Sequence, residues 1–271
     1  AGIDPFAVLG LVGRATSTIE LGTSIVQTYP RHPVLMAQQA TAVAKAVGGE
    51  GRFTLGVGVS HRPVIEGMYG LDYSHNARHL REYLTVLGAL LRDGRVAFSG
   101  EEYTANAEIR DAAAPPVPVV VAALAALSLR SAGELADGTI TWMANARAVA
   151  DLVAPTLQAA AAGAGRPEPR VVCGLPVAVA DDADAAREAA ARQFAMYGML
   201  PNYQRVLAAG GISAPADAAL VGDEDAVAAA IGELFAAGVT DLWAAPFPVG
   251  DDRRASRART RALLKDLAAV H

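Results

Sequence analysis

The pattern that most constrains this chain is a strand followed by a helix, repeated six times. Apolar runs suited to strands fall at 19–26, 53–59, 117–124, 139–143, 171–179 and 241–246. Helical periodicity follows at 34–47, 75–92, 128–136, 146–162, 184–207 and 224–237, with further helices at 5–16 and 256–269. Such alternation forces crossover connections, and crossovers make neighbouring strands parallel. Asp4 is placed to cap the first helix and Pro5 to occupy its first position. The expected fold is therefore α/β, of the TIM-type (β/α)8 barrel class with insertions. That class typically takes ~250 residues, and the chain has 271.

Six strands are fewer than such a barrel needs, and the sequence opens on a helix. An N-terminal strand–helix–strand of about 40 residues, judged by the size of a βαβ unit, is expected to be missing. An open, doubly wound six-stranded sheet is the alternative. Residues 1–271 are expected to form one domain without repeats or linkers. Two connections, about 93–118 and 180–220, are longer than a barrel requires and are expected to shape the pocket. The first resembles a short hairpin at 96–98 and 102–104; the second carries a long helix and then Gly210 and Gly211.

Composition removes several classes of function. The formal charge of −5 argues against a nucleic-acid partner, and no Lys/Arg cluster of the kind needed to neutralise several phosphates is expected. No basic leader with an apolar core and no ~20-residue apolar span is found, so a membrane is not expected and the cytoplasm is the default location. Cys173 is the only cysteine; no internal disulfide can form, and its place inside a strand predicts a buried, inert thiol. No His, Cys, Asp and Glu grouping has metal-ligand spacing, so no metal is expected. No nucleophile-elbow arrangement is present.

Two strand ends suggest a ligand. Gly22, Thr23 and Ser24 interrupt the apolar run of the first strand and leave room for something flat. In the second strand Gly56 and Gly58 lie on one face, where they allow either close approach of a planar ligand or tight packing. A dinucleotide fingerprint would need a third glycine where His61 stands.

Several segments together resemble the luciferase-like monooxygenase superfamily, and within it the actinobacterial branch that uses coenzyme F420. They are Arg14-Ala15-Thr16, Ile19-Glu20-Leu21-Gly22-Thr23, Pro30-Arg31-His32-Pro33, Ala37-Gln38-Gln39-Ala40, and Arg52 to Gly58 followed by Ser60-His61. The similarity continues through 78–91, 132–142 and 197–203. The resemblance implies an eight-stranded barrel, a homodimer, a small-molecule substrate and F420 as cofactor, with FMN as the alternative. It also implies a cis peptide at Ser24-Ile25 backing the ring of the cofactor. The implied cofactor residues are Ser24, Ile25, Gln27, Gly58, Val59, Ser60 and His61, together with Ala122, Ala123, Leu124 and Ala125. Relatives have a glycine-rich segment where this chain has Ala125-Ala126-Leu127, which weakens phosphate capture there, although backbone N–H groups remain. Three functions follow: an F420-dependent oxidoreductase transferring hydride, an FMN-dependent monooxygenase, or a non-catalytic F420 or flavin carrier.

His61 lies just past a strand's C-terminal end, where barrel sites are built, and a histidine exchanges protons near neutrality. It is the catalytic candidate, with a hydrogen bond to the cofactor's ring edge as the equal alternative. His32 suits a capping role. His79, beside Arg78, Arg81 and Glu82, is expected on a solvated face; His75 and His271 have no evident partners. Trp142, Tyr197, Met199 and Tyr203 are the expected substrate-pocket residues, Trp142 as the end of its strand and the others through the long insertion.

Overall fold

Local signals in the sequence set the ends of several elements. In the computed structural model, which describes residues 3–109 and 115–269, α1 spans Pro5–Ala15, and the Asp4 carboxylate accepts the Phe6 and Ala7 N–H groups at 2.9 and 3.4 Å. The chain divides into two compact units, Ala1–Ala123 with Arg130–Thr139 and Ala160–Pro169, and Leu124–Leu129 with Ile140–Ala159 and Arg170–His271.

The first unit contains β1 (Leu21–Gly22), β2 (Val26–Gln27), α2 (Pro33–Val47), β3 (Phe53–Gly58), α3 (Arg62–Tyr69), α4 (Asn76–Asp93), β4 (Arg95–Ser99), β5 (Thr104–Glu108) and β6 (Val119–Ala122). β1 and β2 pair in parallel with successive parts of β3, Leu21 opposite Phe53 and Val26 opposite Val57. On its other edge β3 pairs in parallel with β6. The expected strand at 19–26 is thus two short strands, and the chain between them carries a cis Ser24–Ile25 peptide. That bond agrees with the resemblance. Phe53, Leu55 and Val57 of β3, Met36, Ala40 and Val43 of α2 and Leu80, Leu84 and Leu87 of α4 are all buried, and α2 packs against both β3 and α4. Helix α3 lies between His61 and residue 75, where the sequence pattern predicts no element.

The hairpin expected in the 93–118 connection is present as antiparallel β4 and β5; residues 110–114 lie outside the described residues. One carboxylate holds its turn. Glu82 on α4 accepts the N–H groups of Glu101, Glu102 and Tyr103 at 3.0, 2.9 and 2.9 Å. Burial pushes its pKa up, but these three bonds and Arg78 outweigh burial and hold it below the usual carboxylate value. Gly100 makes room, since a Cβ there would lie 2.3 Å from Glu82 Oε2. Glu82→Gln is expected to speed hydrogen exchange at these three amides by about tenfold, the loss of roughly one charge-assisted bond; unchanged exchange would show that the carboxylate does not hold the turn.

α5 (Ala126–Leu135), β7 (Gly138–Trp142) and α7 (Ala154–Gly163) contribute residues to both units; α7 follows the short α6 (Ala146–Ala148) and a π-turn at Val149–Val153. The second unit holds β8 (Arg170–Val179), α8 (Ala183–Phe194), α9 (Pro201–Ala209), β9 (Leu220–Gly222), α10 (Glu224–Ala236), β10 (Asp241–Pro246) and α11 (Arg253–Ala268). β8 pairs in parallel with β10 and β9. Val177 and Val179 of β8 and Val227 and Ile231 of α10 form a core that Leu263, Leu264 and Leu267 of α11 cover. This parallel strand–helix succession is the expected α/β class. The helix expected at 184–207 is broken by a 3-10 turn at Ala195–Met199, because Pro201 cannot extend a helix from its N-terminal side and starts α9 instead.

Helix α11 corrects the reading that no basic cluster exists. Arg253, Arg254, Arg257, Arg259, Arg261 and Lys265 all lie on it, and Arg259 is tied to Glu224 and Asp181. Among the described residues no helix is long and apolar enough to cross a membrane, and no group of three or more His, Cys, Asp or Glu is placed to hold a metal ion.

Candidate functional site

In the first unit, the C-terminal ends of β2 and β3 bring most of the expected cofactor residues together. Gln27 lies opposite Gly58 in the parallel register, and its Nε2 donates to Ser60 Oγ at 3.1 Å. Ser60 has φ 61°, a left-handed conformation uncommon for a residue with a side chain. It turns the chain out of β3, and Tyr73 Oη donates to its carbonyl at 2.9 Å. His61 follows as the N-cap of α3; its carbonyl accepts the Val64 and Ile65 N–H groups, while its imidazole does not cap the helix. Burial lowers the His61 pKa below the ordinary 6.5, so the ring is neutral at pH 7. Ser24 is exposed and Ile25 half-buried beside them.

Both strand glycines face protein atoms. A Cβ on Gly56 would lie 1.9 Å from the Thr23 carbonyl oxygen, and one on Gly58 would lie 2.9 Å from Ala122 Cβ and 3.1 Å from Ile25 Cδ1. Tight packing, the second of the two readings, therefore describes them. Thr23 completes the joint: its hydroxyl donates to the Gly56 carbonyl and accepts the Gly56 N–H, both at 2.8 Å. Ala122 ends β6, Ala123 is buried, and Leu124 and Ala125 continue toward α5, where Ala125 O accepts the Leu129 N–H and the Ser128 hydroxyl.

Behind this surface lies a buried polar cluster that the sequence reading missed. His79 is 4% exposed, not on a solvated face. Its Nε2 meets Thr28 Oγ1 at 2.8 Å, its Nδ1 meets Tyr103 Oη at 3.3 Å, and its ring stacks on Tyr29 at 3.7 Å and 6°. The charges on Arg78, Arg81 and Glu82 suggested solvent, but His79 shares the inward face of α4 with Leu80, Tyr83 and Leu87. The signal was its spacing of four from Tyr83. Burial lowers its pKa to about 4, against the opposing pull of Glu102 and Glu82. His32 caps α2 as expected, its Nδ1 accepting the Val34 N–H at 3.3 Å. His75 stands at the N-cap of α4, and His271 lies outside the described residues.

In the second unit Trp142 ends β7 and meets Trp243 at 5.0 Å, Tyr197 at 5.8 Å and Phe194 at 6.0 Å between ring centroids. Tyr203 meets Tyr197 edge-on at 4.9 Å. Three of the four expected pocket residues thus form one aromatic cluster, which Trp243 joins. Met199 is 74% exposed and stands outside these ring contacts. Cys173 is buried, its thiol donating to Ala144 O and pushed up to about 11 by burial.

Comparison with known proteins places these features in a wider group. Residues 1–241 match the family model described as luciferase-like monooxygenase. A Mycobacterium tuberculosis protein, Rv1360, is 33% identical over 222 residues, which cover 76% of this chain and 65% of that protein. The chain thus spans about two thirds of that relative's length. An F420-dependent hydroxymycolic acid dehydrogenase of Mycobacterium tuberculosis is 32% identical over 192 residues, 68% of this chain and 52% of its own. Among solved structures, a coenzyme F420-dependent tetrahydromethanopterin reductase from Methanopyrus kandleri superposes with a TM-score of 0.74 at 25% identity, covering 93% of this chain and 84% of that one.

Proposed function

The chain belongs to the luciferase-like monooxygenase family, and from that premise we propose that it is an oxidoreductase that binds coenzyme F420 at the ends of β2 and β3 and acts on a small organic substrate. The observation that carries this reading is the Gln27–Ser60–His61 constellation, built on a left-handed Ser60. Its donors and acceptors are neutral, which fits the uracil-like edge of a deazaflavin. Ile25 and Ala122 supply an apolar flank. When bound, F420 would supply hydride chemistry at its C5. The protein's part is to orient the ring through Ser24, Gln27 and Ser60 and to manage one proton. A homodimer belongs to the same proposal, as does the location of the site at the C-terminal mouth of a barrel.

His61 carries the proton. Because burial keeps it neutral at pH 7, it accepts the proton of a substrate hydroxyl during oxidation, and it donates in the reverse direction only on the acid side. Oxidation is therefore expected to rise with pH through a value below 6.5 and then level off, while reduction falls over the same range. His61→Asn is expected to lower turnover by about 10²- to 10⁴-fold and to flatten both profiles. Retention of the wild-type profile in that variant would assign His61 to binding alone.

Parallel titration with F420 and FMN tests the cofactor. Tight binding of F420 is the expected result; tight binding of FMN alone with oxygen-dependent turnover would replace this reading by the monooxygenase one. Binding of F420 with no turnover of any substrate would leave the carrier reading.

A further inference from the structure

Tyr73 lies between α3 and α4 and is buried, with 5% of its surface exposed. Two local signals place it. Gly70 ends α3 in a left-handed conformation, its N–H donating to the Glu66 carbonyl at 3.2 Å, and the Asp72 carboxylate accepts the Ser74 N–H at 2.8 Å. Between these turns the phenol reaches back to the start of α3. There its Oη donates to the Ser60 carbonyl at 2.9 Å, and the Arg62 guanidinium lies 5.5 Å from its ring centroid. Tyr29, two residues past Gln27, stacks on the same ring at 5.4 Å and 29°, and is itself stacked on His79. Tyr73 thus joins the ends of the two strands that present Gln27 and Ser60. Burial pushes its pKa above the ordinary 10, so the hydroxyl keeps its proton at neutral pH and donates it. A residue with a side chain stays left-handed only where its surroundings over-determine that conformation, and at Ser60, with φ 61°, the Tyr73 hydroxyl is such a constraint.

We propose that Tyr73 is a positioning residue of the cofactor site: its hydroxyl holds the Ser60 carbonyl, keeps Ser60 left-handed and so keeps Ser60 Oγ within reach of Gln27. This inference rests on the reading of Gln27 and Ser60 as cofactor residues. A Ser60 released from Tyr73 rotates toward a commoner backbone conformation, and that rotation carries Oγ away from its 3.1 Å contact with Gln27 Nε2. The amide and the hydroxyl then meet the cofactor ring as two independent groups instead of a fixed pair. What is lost is preorganisation, not a contact with the cofactor.

Tyr73→Phe removes the hydroxyl and keeps the ring. Titrated with F420 by deazaflavin fluorescence, the folded variant is expected to bind about tenfold more weakly than the wild type, the loss of roughly one buried hydrogen bond. A merely structural role would lower the urea midpoint and leave the dissociation constant of the folded protein unchanged, and that result would overturn the proposal. Ser60→Ala supplies a second arm. Without Oγ there is nothing left for Tyr73 to aim, so adding Tyr73→Phe to Ser60→Ala is expected to change affinity by less than about twofold; a further loss as large as in the wild-type background would show that Tyr73 acts by another route. NMR of the ¹³C,¹⁵N-labelled chain reads the cause. Backbone couplings and shifts are expected to report a left-handed Ser60 in the wild type and its loss in Tyr73→Phe; a Ser60 that stays left-handed in the variant refutes the role. Should the variant fail to fold, the wild-type chain decides the matter. Its Tyr73 hydroxyl, followed by the deuterium isotope shift at Cζ, is expected to exchange far more slowly than that of Tyr69, which is 40% exposed, and equal exchange refutes the hold on Ser60. A wild-type chain that binds no F420 would retire the cofactor reading, and the Ser60 spectra would still decide whether Tyr73 holds the turn. F420 binding that Tyr73→Phe leaves intact would retire this inference and keep that reading.

Discussion

Gly56→Ala is expected to cost about 3 kcal/mol or more and to leave the first unit largely unfolded under mild denaturant. The added Cβ would lie 1.9 Å from the Thr23 carbonyl oxygen, well inside van der Waals contact. Thr23 cannot retreat without losing the paired 2.8 Å hydrogen bonds between its hydroxyl and the Gly56 backbone. Nor can β3 move away, because Leu55, Gly56 and Val57 are in register with β6 on the other side. Gly10→Ala is the control, since nothing lies within 4 Å of a Cβ at that half-buried position of α1; it should gain roughly 0.5–1 kcal/mol from helix propensity. Urea midpoints measure both, and a Gly56→Ala midpoint near that of the wild type would show that the β1–β3 joint is far more yielding than its geometry.

The second large effect is expected in acid. Folded His79 titrates at about 4 against an ordinary 6.5, because burial opposes the imidazolium more than Glu102 and Glu82 favour it. The unfolded chain therefore binds a proton that the folded chain refuses. The stabilisation is complete above pH 6.5 and is lost as pH falls from there toward 4, a change of about 3 kcal/mol at 1.36 kcal/mol per unit. His79→Gln removes this titration, although at pH 7 it weakens the contacts with Thr28, Tyr103 and Tyr29. The stability difference between wild type and variant should thus shrink by about 3 kcal/mol between pH 7 and pH 4, with the other acid-sensitive groups cancelling. A difference that stays constant over that range would place the His79 proton elsewhere.

These two residues mark the boundary of what could be read along the chain. The Asp4 cap, the Pro5 start of α1, the His32 cap of α2 and the hairpin after α4 depend on residues within a few positions of one another, and they were legible. The break at Ala195–Met199 was legible in principle, since Pro201 and Gly198 announce it, but the helical period on both sides concealed it. His79 misled because its charged sequence neighbours point outward while it points in. Gly58 and Gly56 suggested a ligand because a glycine shows only that something comes close, not what.

Apart from α3, β9, the split of the first strand and the break between α8 and α9, the order of strands and helices and the parallel pairing it compels followed from the sequence by itself, because apolar period and capping chemistry act over one or two turns of chain. Tertiary structure alone decided which atoms fill the space beside Gly56, how deeply His79 is buried and that the indole of Trp142 has no acceptor among the described residues. The physical reason is distance along the chain: Thr23 meets Gly56 across 33 residues and Thr28 meets His79 across 51. Contacts of that span are fixed only when the strands and helices have packed, and the Gln27–Ser60 bond of the candidate site, also across 33 residues, is one of them.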